Sequence, residues 1–265
     1  MPNNLITSKN NPRIKNIVKL TKASERQHQN LIVVEGYREI DRAIRSGFHL
    51  TELFVCNELF HNHIWLHQLV NENIVIEEVS PDVFAKIAYR EQSDGLLGLF
   101  EPKRLSLSDI SLKENPLLIV LESVEKPGNL GAVLRTADAA AVDAVIICDP
   151  KTDIYNPNTI RSSLGCVFAV GTVSCSSQEA ISWLRKNDIS IIATSLEASI
   201  PYTQSNLKGP AAIVMGTEAT GLSKQWTTIA HQNIIIPMRG ISDSLNISVS
   251  AAIVLFEALR QRESD

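Results

Sequence analysis

The sequence predicts an α/β protein of two domains, and three observations support this class. Nearly continuous apolar runs such as LLIVLE and AAIVM recur along residues 117–265, separated by segments with helical spacing of apolar residues. This alternation is typical of a parallel sheet covered on both faces. A smaller alternation of the same kind occupies residues 1–100, and the polar, proline-containing segment 101–116 is interpreted as the linker. A chain of 265 residues is long enough for two cores.

Composition narrows the class of protein further. With 44% hydrophobic and 20% charged residues, it resembles an ordinary globular protein. No apolar run has the length of a signal-peptide core or a membrane span, so a cytoplasmic location is expected. The four cysteines are far apart without a C-x-x-C pair, which indicates reduced, structural thiols. His63 and His67 lie one helical turn apart, but no acid or cysteine completes a set, so no metal is expected.

The N-terminal domain is predicted to alternate short strands with helices. The run LIVVE is followed by an amphipathic helix that ends at Gly47. Ser80 and Pro81 open a later helix. The remaining predicted elements are the strands TELFVC, IVIEEV and GLLGLF and a helix from about residue 63 to 71.

Charge is distributed unevenly along the chain. Residues 1–50 carry nine Lys and Arg against four Asp and Glu, a net +5, whereas the whole chain carries −4. A basic N-terminal segment on an acidic protein indicates a patch that contacts phosphates. The alternative is a solvated helix face, because four cations fall at helical spacing opposite apolar residues. These cations are Lys15, Lys19, Lys22 and Arg26.

The C-terminal domain is predicted to contain six strands and five helices. No G-x-G-x-x-G follows its first strand, and no G-x-x-x-x-G-K-[ST] is present, so a nucleotide site of either standard type is not indicated. The predicted strands are LLIVLES, AVIICD, FAVGTV, ISIIATS, AAIVMG and NIIIPM, and the helices lie near 130–140, 159–164, 178–186 and 224–229 and at the C-terminus.

Three junctions in this domain concentrate polar residues between a strand and a helix. They are LLIVLESVEKPGNLGAVLRTADAA at 117–140, IVMGTEATGLS at 213–223, and IIIPMRGISDSLNISVSAAIVLFEALRQR at 234–262. Helix N-termini expose unpaired N–H groups, so ligand sites often form there, although a helix cap is the simpler explanation of a junction taken alone. Ser223 is expected to cap the helix after the second junction, and 243–246 to form the first turn of the last helix.

Taken together and in this order, the three junctions resemble the motifs of the SpoU (TrmH-like) branch of the SPOUT methyltransferases, which methylate RNA ribose 2′-hydroxyls. The resemblance covers most of the chain. It implies a deep trefoil knot in the C-terminal domain, S-adenosylmethionine as cofactor and a homodimer. It also implies that the N-terminal domain is a small RNA-binding domain resembling a ribosomal-protein fold.

The resemblance favours ribosomal RNA as substrate, in the manner of the 23S rRNA and thiostrepton-resistance enzymes. Transfer RNA is the alternative within the class, but the tRNA enzymes of this branch more often lack such an N-terminal domain. A non-catalytic RNA-binding protein that has kept the fold is the alternative from another class. Two positions depart from the family pattern, Ala141 in place of glycine and Ser250 in place of alanine.

The resemblance also assigns roles to individual residues. Arg135 is either the base that takes the hydroxyl proton or an anchor for phosphate and the developing alkoxide. The permanent charge of a guanidinium favours the second role. The implied catalytic residues are Asn129, Arg135, Glu218, Ser244 and Asn246. The implied cofactor-binding residues are Thr194, Ser195, Gly216, Gly221, Ile236, Met238 and Leu245, and the RNA contacts are Arg13, Lys15, Arg161 and Ser163.

Overall fold

The computed structural model describes residues 5–70, 74–197, 200–217 and 220–263. The chain forms two compact units. The first comprises the residues up to Lys103 together with Tyr155–Ala169, and the second comprises Arg104–Ile154 and the residues from Val170 onward. The sequence placed a single boundary at 101–116, so the structure differs in assigning Tyr155–Ala169 to the N-terminal unit.

The N-terminal unit is built on a mixed four-stranded sheet of order β1-β4-β2-β3. Strand β4 runs antiparallel to β1 and β2, and β2 is parallel to β3. Its elements in chain order are α1 (Pro12–Lys19), α2 (Ala23–Gln29), β1 (Ile32–Glu35), α3 (Tyr37–Arg45), β2 (Leu50–Val55), α4 (His63–Val70), β3 (Val75–Glu78), α5 (Pro81–Ile87) and β4 (Leu96–Phe100).

The basic N-terminal segment forms two helices. Helix α1 ends at Lys19, and α2 begins at Ala23. Arg26 is buried, and its Nη1 donates to the carbonyls of Leu20 at 2.7 Å and Thr21 at 2.8 Å. Arg26 therefore stabilises the C-terminal end of α1 and does not belong to the exposed basic face, whereas Lys15, Lys19 and Lys22 are exposed.

The segment Tyr155–Ala169 contains two short helices, α7 (Pro157–Ser162) and α8 (Cys166–Ala169). Arg42 Nη1 on α3 donates to the Leu164 carbonyl at 2.7 Å, and the Phe48 and Phe168 rings meet edge to face at 4.9 Å. The predicted strand FAVGTV is therefore wrong in its first half. Short apolar runs do not distinguish strand from helix, and Phe168 is buried here on a helix.

The C-terminal unit contains a seven-stranded sheet of order β7-β6-β5-β10-β8-β11-β9 in which every pairing is parallel. This confirms the predicted α/β class with a parallel sheet. Its elements are β5 (Leu117–Glu122), α6 (Pro127–Ala139), β6 (Ala144–Cys148), β7 (Thr172–Cys175), α9 (Ser177–Lys186), β8 (Ser190–Thr194), β9 (Ile200–Pro201), β10 (Ala211–Met215), α10 (Lys224–Ile229), β11 (Gln232–Ile235) and α11 (Ile247–Glu263).

Two helix starts differ from the sequence prediction. Helix α6 begins at Pro127, three residues earlier than expected, since proline at the first helical position loses no hydrogen bond. Helix α11 begins at Ile247, so residues 243–246 precede it. Asn246 Oδ1 accepts from the Ser248 N–H at 2.9 Å and from its hydroxyl at 2.6 Å, which makes Asn246 the cap of α11.

All four cysteines are free thiols. Cys148 and Cys175 lie opposite each other on β6 and β7, and their hydrogen bond, together with burial, raises the pKa of the Cys148 thiol. Of the helices in the described part of the chain, none combines the length and apolar composition needed to cross a bilayer. Within the same residues, no three His, Cys, Asp or Glu side chains cluster as metal ligands would.

Candidate active site

A cavity of about 660 Å³ lies in the C-terminal unit. It is lined by residues that end or directly follow three neighbouring parallel strands, among them Thr194 at the end of β8, Gly216 after β10 and Ile236 after β11. The carboxyl ends of parallel strands meet at one edge of a sheet, and ligands of open α/β sheets bind there. The position and size of the cavity therefore suit a small-molecule site.

The cavity collects the residues that the family resemblance assigned to a cofactor. Its lining also includes Ser244 from the expected catalytic set. The seven expected cofactor residues that line it are Thr194, Ser195, Gly216, Gly221, Ile236, Met238 and Leu245.

Two glycines allow the loop after β10 to fold tightly against the cavity. Thr217 and Gly221 exchange backbone hydrogen bonds of 3.2 and 3.0 Å, and Gly221 has a φ of +67°. A Cβ added to Gly216 would lie 2.1 Å from the Gly221 carbonyl carbon. Any side chain at position 216 would therefore displace this loop, which leaves backbone groups free to approach a ligand closely.

The Asn129 and Asn246 side chains meet although they come from different motifs. Asn129 lies in the first turn of α6, and Asn246 caps α11. Asn246 Nδ2 donates to Asn129 Oδ1 at 3.2 Å. The first and third motifs are thus joined by an amide pair, and amides of this kind can orient a hydroxyl group by donating and accepting hydrogen bonds.

Arg135 lies apart from the Asn129–Asn246 pair and from the cavity lining. It is exposed on α6, six residues after Asn129, and it is not part of the cavity lining. Six residues of an α-helix turn by about 600°, which leaves about 120° between the two side-chain directions. Glu218, the remaining member of the expected catalytic set, lies outside the described residues.

Glu122 is a residue of the C-terminal unit that the sequence interpretation did not single out. This buried carboxylate ends β5, and its Oε2 accepts from the Ser223 N–H at 2.7 Å. Ser223 occupies the N-cap position of α10, as expected, but its side chain makes no capping hydrogen bond. An acidic residue at the end of an otherwise apolar strand was the available signal, because a buried charge requires a partner.

The four expected RNA contacts have different surroundings within the N-terminal unit. The exposed Arg13 forms an ion pair with Glu77, and Lys15 on α1 is also exposed. Arg161 is exposed on α7. Ser163 is fully buried, donates to the Ile160 carbonyl at 3.0 Å and accepts from the Val167 N–H at 3.4 Å. Direct contact between Ser163 and RNA is therefore not available, and its hydroxyl stabilises the turn between α7 and α8.

Comparison with known proteins agrees with this geometry. Residues 116–256 match the SpoU rRNA Methylase family, and residues 11–98 match the MRM3-like substrate binding domain. The chain is 26% identical to the Bacillus subtilis 23S rRNA (guanosine(2553)-2′-O)-methyltransferase RlmP, over 95% of this chain and 97% of that protein. It is 35% identical to the Pasteurella multocida 23S rRNA (guanosine-2′-O-)-methyltransferase RlmB, over 74% of this chain and 83% of that one.

Solved structures show the same relationship over the full length. The AdoMet-bound rRNA methyltransferase from Sinorhizobium meliloti is 30% identical and superimposes with a TM-score of 0.90, covering 98% of this chain and 99% of that one. The family match spans more than half of the chain, covering the first two motif junctions, most of the third, and the cavity that the second and third help to line. The chain therefore belongs to the SpoU rRNA methylase family.

Proposed function

We propose that this protein transfers the methyl group of S-adenosylmethionine to a ribose 2′-hydroxyl of ribosomal RNA, with 23S rRNA as the substrate class. The observation that carries the proposal is the common cavity, which gathers residues of the second and third motifs after three adjacent strands. Both curated relatives described above are 23S rRNA 2′-O-methyltransferases by name.

The cavity residues fit S-adenosylmethionine. Gly216 and Gly221 keep the loop after β10 free of side chains where backbone approaches the cavity, and Ile236 and Leu245 supply apolar surface for a ring. The hydroxyl of Thr194 donates to the Val214 carbonyl at 3.1 Å, which holds the ends of β8 and β10 together. When bound, S-adenosylmethionine supplies an electrophilic methyl group on a sulfonium.

The chain's own polar groups would orient the acceptor. In-line transfer requires the ribose hydroxyl to be held against the methyl group and its developing charge to be stabilised. We assign orientation to the Asn129–Asn246 pair and Ser244, and charge stabilisation to Arg135 through the neighbouring phosphate. Glu218, outside the described residues, stays in the proposed set because a carboxylate favours a cationic sulfonium.

The proposal includes the deep trefoil knot. In such a fold the C-terminal segment passes through a preceding loop, which is rare among protein chains. The adjacency of β10, β8 and β11 in the sheet and the shared cavity after them support this arrangement.

The proposal also includes a homodimer through the last helix. Val249 and Phe256 on α11 are 46% and 50% exposed, which leaves apolar surface for a self-complementary interface. Light scattering at micromolar concentration should give twice the chain mass of 29.2 kDa. Phe256→Glu should shift the protein toward monomer, and a wild-type monomer would contradict the proposal.

We further propose that the N-terminal unit holds the RNA, that no metal takes part, and that the protein works in the cytoplasm. The basic segment within residues 1–50 and the match to a substrate binding domain support the first point. The free thiols agree with a reducing compartment.

Methylation of total RNA with labelled cofactor, followed by mapping of the labelled nucleotide, tests the function. We expect label in 23S rRNA on a ribose. A substrate with deoxyribose at the mapped nucleotide should accept no methyl group, because the 2′-hydroxyl is the acceptor. Label in tRNA would favour the tRNA alternative, methylation of the deoxy substrate would show that a base is the acceptor, and binding without any transfer would favour a non-catalytic protein.

A further inference from the structure

A second cavity, of about 90 Å³, lies within the N-terminal unit. It is much smaller than the cavity after the C-terminal strands and is walled by α1, the end of β1, the end of α5 with the segment after it, and α7. The residues on which the argument rests are Val18, Val33, Glu35, Lys86, Tyr89 and Arg161.

Glu35 is the unusual residue in this cavity. Its side chain is buried, with 7% of the residue exposed, and its Oε2 accepts from the backbone N–H groups of Tyr89 at 2.6 Å and Arg90 at 3.2 Å. Its Oε1 is buried and has no hydrogen-bond partner among the described residues. Buried polar atoms are nearly always paired, so an unpaired carboxylate oxygen on a residue that lines a cavity points to a missing partner, which a ligand's N–H can supply.

The remaining walls suit a flat ring. Val18 and Val33 contribute apolar surface, and the cavity is too small for a drug-sized ligand. Tyr89 lines the same cavity and is 51% exposed, so its ring is available for stacking. Proteins recognise single-stranded RNA by splaying out a base, stacking it on an aromatic side chain and hydrogen bonding its edge.

Charge in the cavity lining is complementary to a nucleotide. Lys86 and Arg161 are exposed, and neither forms an ion pair within the part of the chain that the structure describes. Arg90, by contrast, is occupied, because its Nη2 donates to Glu39 Oε1 at 2.8 Å. Lys86 and Arg161 are therefore the groups that remain to meet phosphate.

We propose that this cavity binds one unpaired base of the RNA substrate, with Glu35 Oε1 accepting hydrogen bonds from its Watson–Crick edge and with Lys86 and Arg161 meeting adjacent phosphates. An ionised carboxylate only accepts, so it selects a base edge with N–H donors. Guanine presents two neighbouring donors, N1–H and the N2 amine, and is the expected base. The inference rests on the RNA substrate proposed above but concerns a site separate from the methyl-transfer cavity.

The test measures nucleotide binding directly, with the full chain saturated with S-adenosylhomocysteine so that the C-terminal cavity is filled. Guanosine 5′-monophosphate should bind in the millimolar range and more tightly than inosine 5′-monophosphate, which lacks the N2 amine. Adenosine 5′-monophosphate should bind more weakly than both. Glu35→Gln should reduce affinity for guanosine 5′-monophosphate about tenfold or more, since an amide donor then replaces the free acceptor.

A preference shift separates recognition from a merely structural role of Glu35. Glu35→Gln retains one acceptor for the Tyr89 and Arg90 N–H groups, and the amide should move the preference toward adenosine 5′-monophosphate, whose N1 accepts. The matched control is Glu91→Gln, an exposed carboxylate of the same unit, which should leave all affinities unchanged. Should Glu35→Gln unfold, Lys86→Gln provides a second variant. It should weaken the binding of guanosine 5′-monophosphate and leave the binding of the nucleoside guanosine unchanged.

Absence of guanosine 5′-monophosphate binding to the wild type, or equal affinities in wild type, Glu35→Gln and Lys86→Gln, would overturn the inference. The outcome is independent of methyl transfer. A chain that binds the nucleotide through Glu35 but never methylates RNA would refute the proposed function and keep the base site. A chain that methylates 23S rRNA without nucleotide selectivity at Glu35 would refute the base site alone.

Discussion

Asn129 and Asn246 are 117 positions apart in the chain, yet Asn246 Nδ2 donates to Asn129 Oδ1 at 3.2 Å. Asn246 also caps α11 through Ser248. The Asn246 side chain therefore caps α11 through its oxygen and contacts the first motif through its nitrogen. A substitution that removes both atoms would change the stability of the helix and the geometry of the site together.

A double-mutant cycle should show that the two amides act as a unit. Asn129→Ala and Asn246→Ala should each lower the methyl-transfer rate, and the double variant should be little worse than the more damaged single one. Groups in direct contact typically show couplings of about 0.5–3 kcal/mol. Asn246→Asp is the control, because it keeps the capping acceptor and loses the donor to Asn129. Strictly additive losses would show that the contact has no catalytic role.

Gly216→Ala should abolish most cofactor binding. The added methyl group would meet Gly221 backbone atoms at 2.1–2.2 Å, so the loop must move, at a cost of about 1–3 kcal/mol. Calorimetric titration with S-adenosylmethionine measures the loss. Gly240→Ala is the matched control, because a Cβ there meets nothing within 4 Å. Equal affinity in both variants would refute the role of the loop.

Glu122→Ala should destabilise the C-terminal unit and weaken cofactor binding. It removes the carboxylate that accepts from the Ser223 N–H, and a hydrogen bond to a charged group contributes about 1.5–3 kcal/mol to the free energy of unfolding. Glu125→Ala provides the comparison, because its ion pair with Lys151 is exposed on both sides and such pairs contribute about 1 kcal/mol or less. Thermal unfolding and cofactor titration should change only in the Glu122 variant.

Arg135→Ala should leave cofactor affinity almost unchanged and lower the methyl-transfer rate about 10²-fold or more, the typical loss for one preorganised electrostatic group. The residue lies outside the cavity lining, which is the reason to expect intact cofactor binding. Arg135→Lys should recover little activity, because a point charge cannot replace a bidentate guanidinium. If an Arg135 variant transferred methyl groups at the normal rate at saturating cofactor, Arg135 would have no place in the proposed mechanism.

RNA binding should weaken in Lys15→Gln, and its dependence on salt should become less steep. Removing one phosphate contact lowers the slope of log affinity against log salt by about 0.7–0.9. Arg13→Gln should have a smaller effect, since Arg13 is already paired with Glu77. Lys186→Gln on α9 of the C-terminal unit is the control. An unchanged slope in Lys15→Gln would place the phosphate contacts elsewhere.

The sequence by itself determined the secondary structure along most of the chain, and the family resemblance of its motifs indicated eight of the residues that line the larger cavity. Strands such as β5 and β10 are short, apolar and bounded by polar turns, so local periodicity identifies them. The resemblance to a known family implied a cofactor role for Gly216, Ile236 and Leu245, and the turns that hold them are encoded locally by glycine and proline.

Only the tertiary structure decided which of these residues meet. The Asn129–Asn246 bond, the Glu122 carboxylate on the Ser223 N–H, and the packing of Phe168 against Phe48 join segments that are distant in sequence. The burial of Ser163 and Arg26 likewise depends on neighbours supplied by packing. Periodicity reports the environment of a residue relative to its own helix or strand, whereas these contacts depend on how elements pack, and that information is spread over the whole chain.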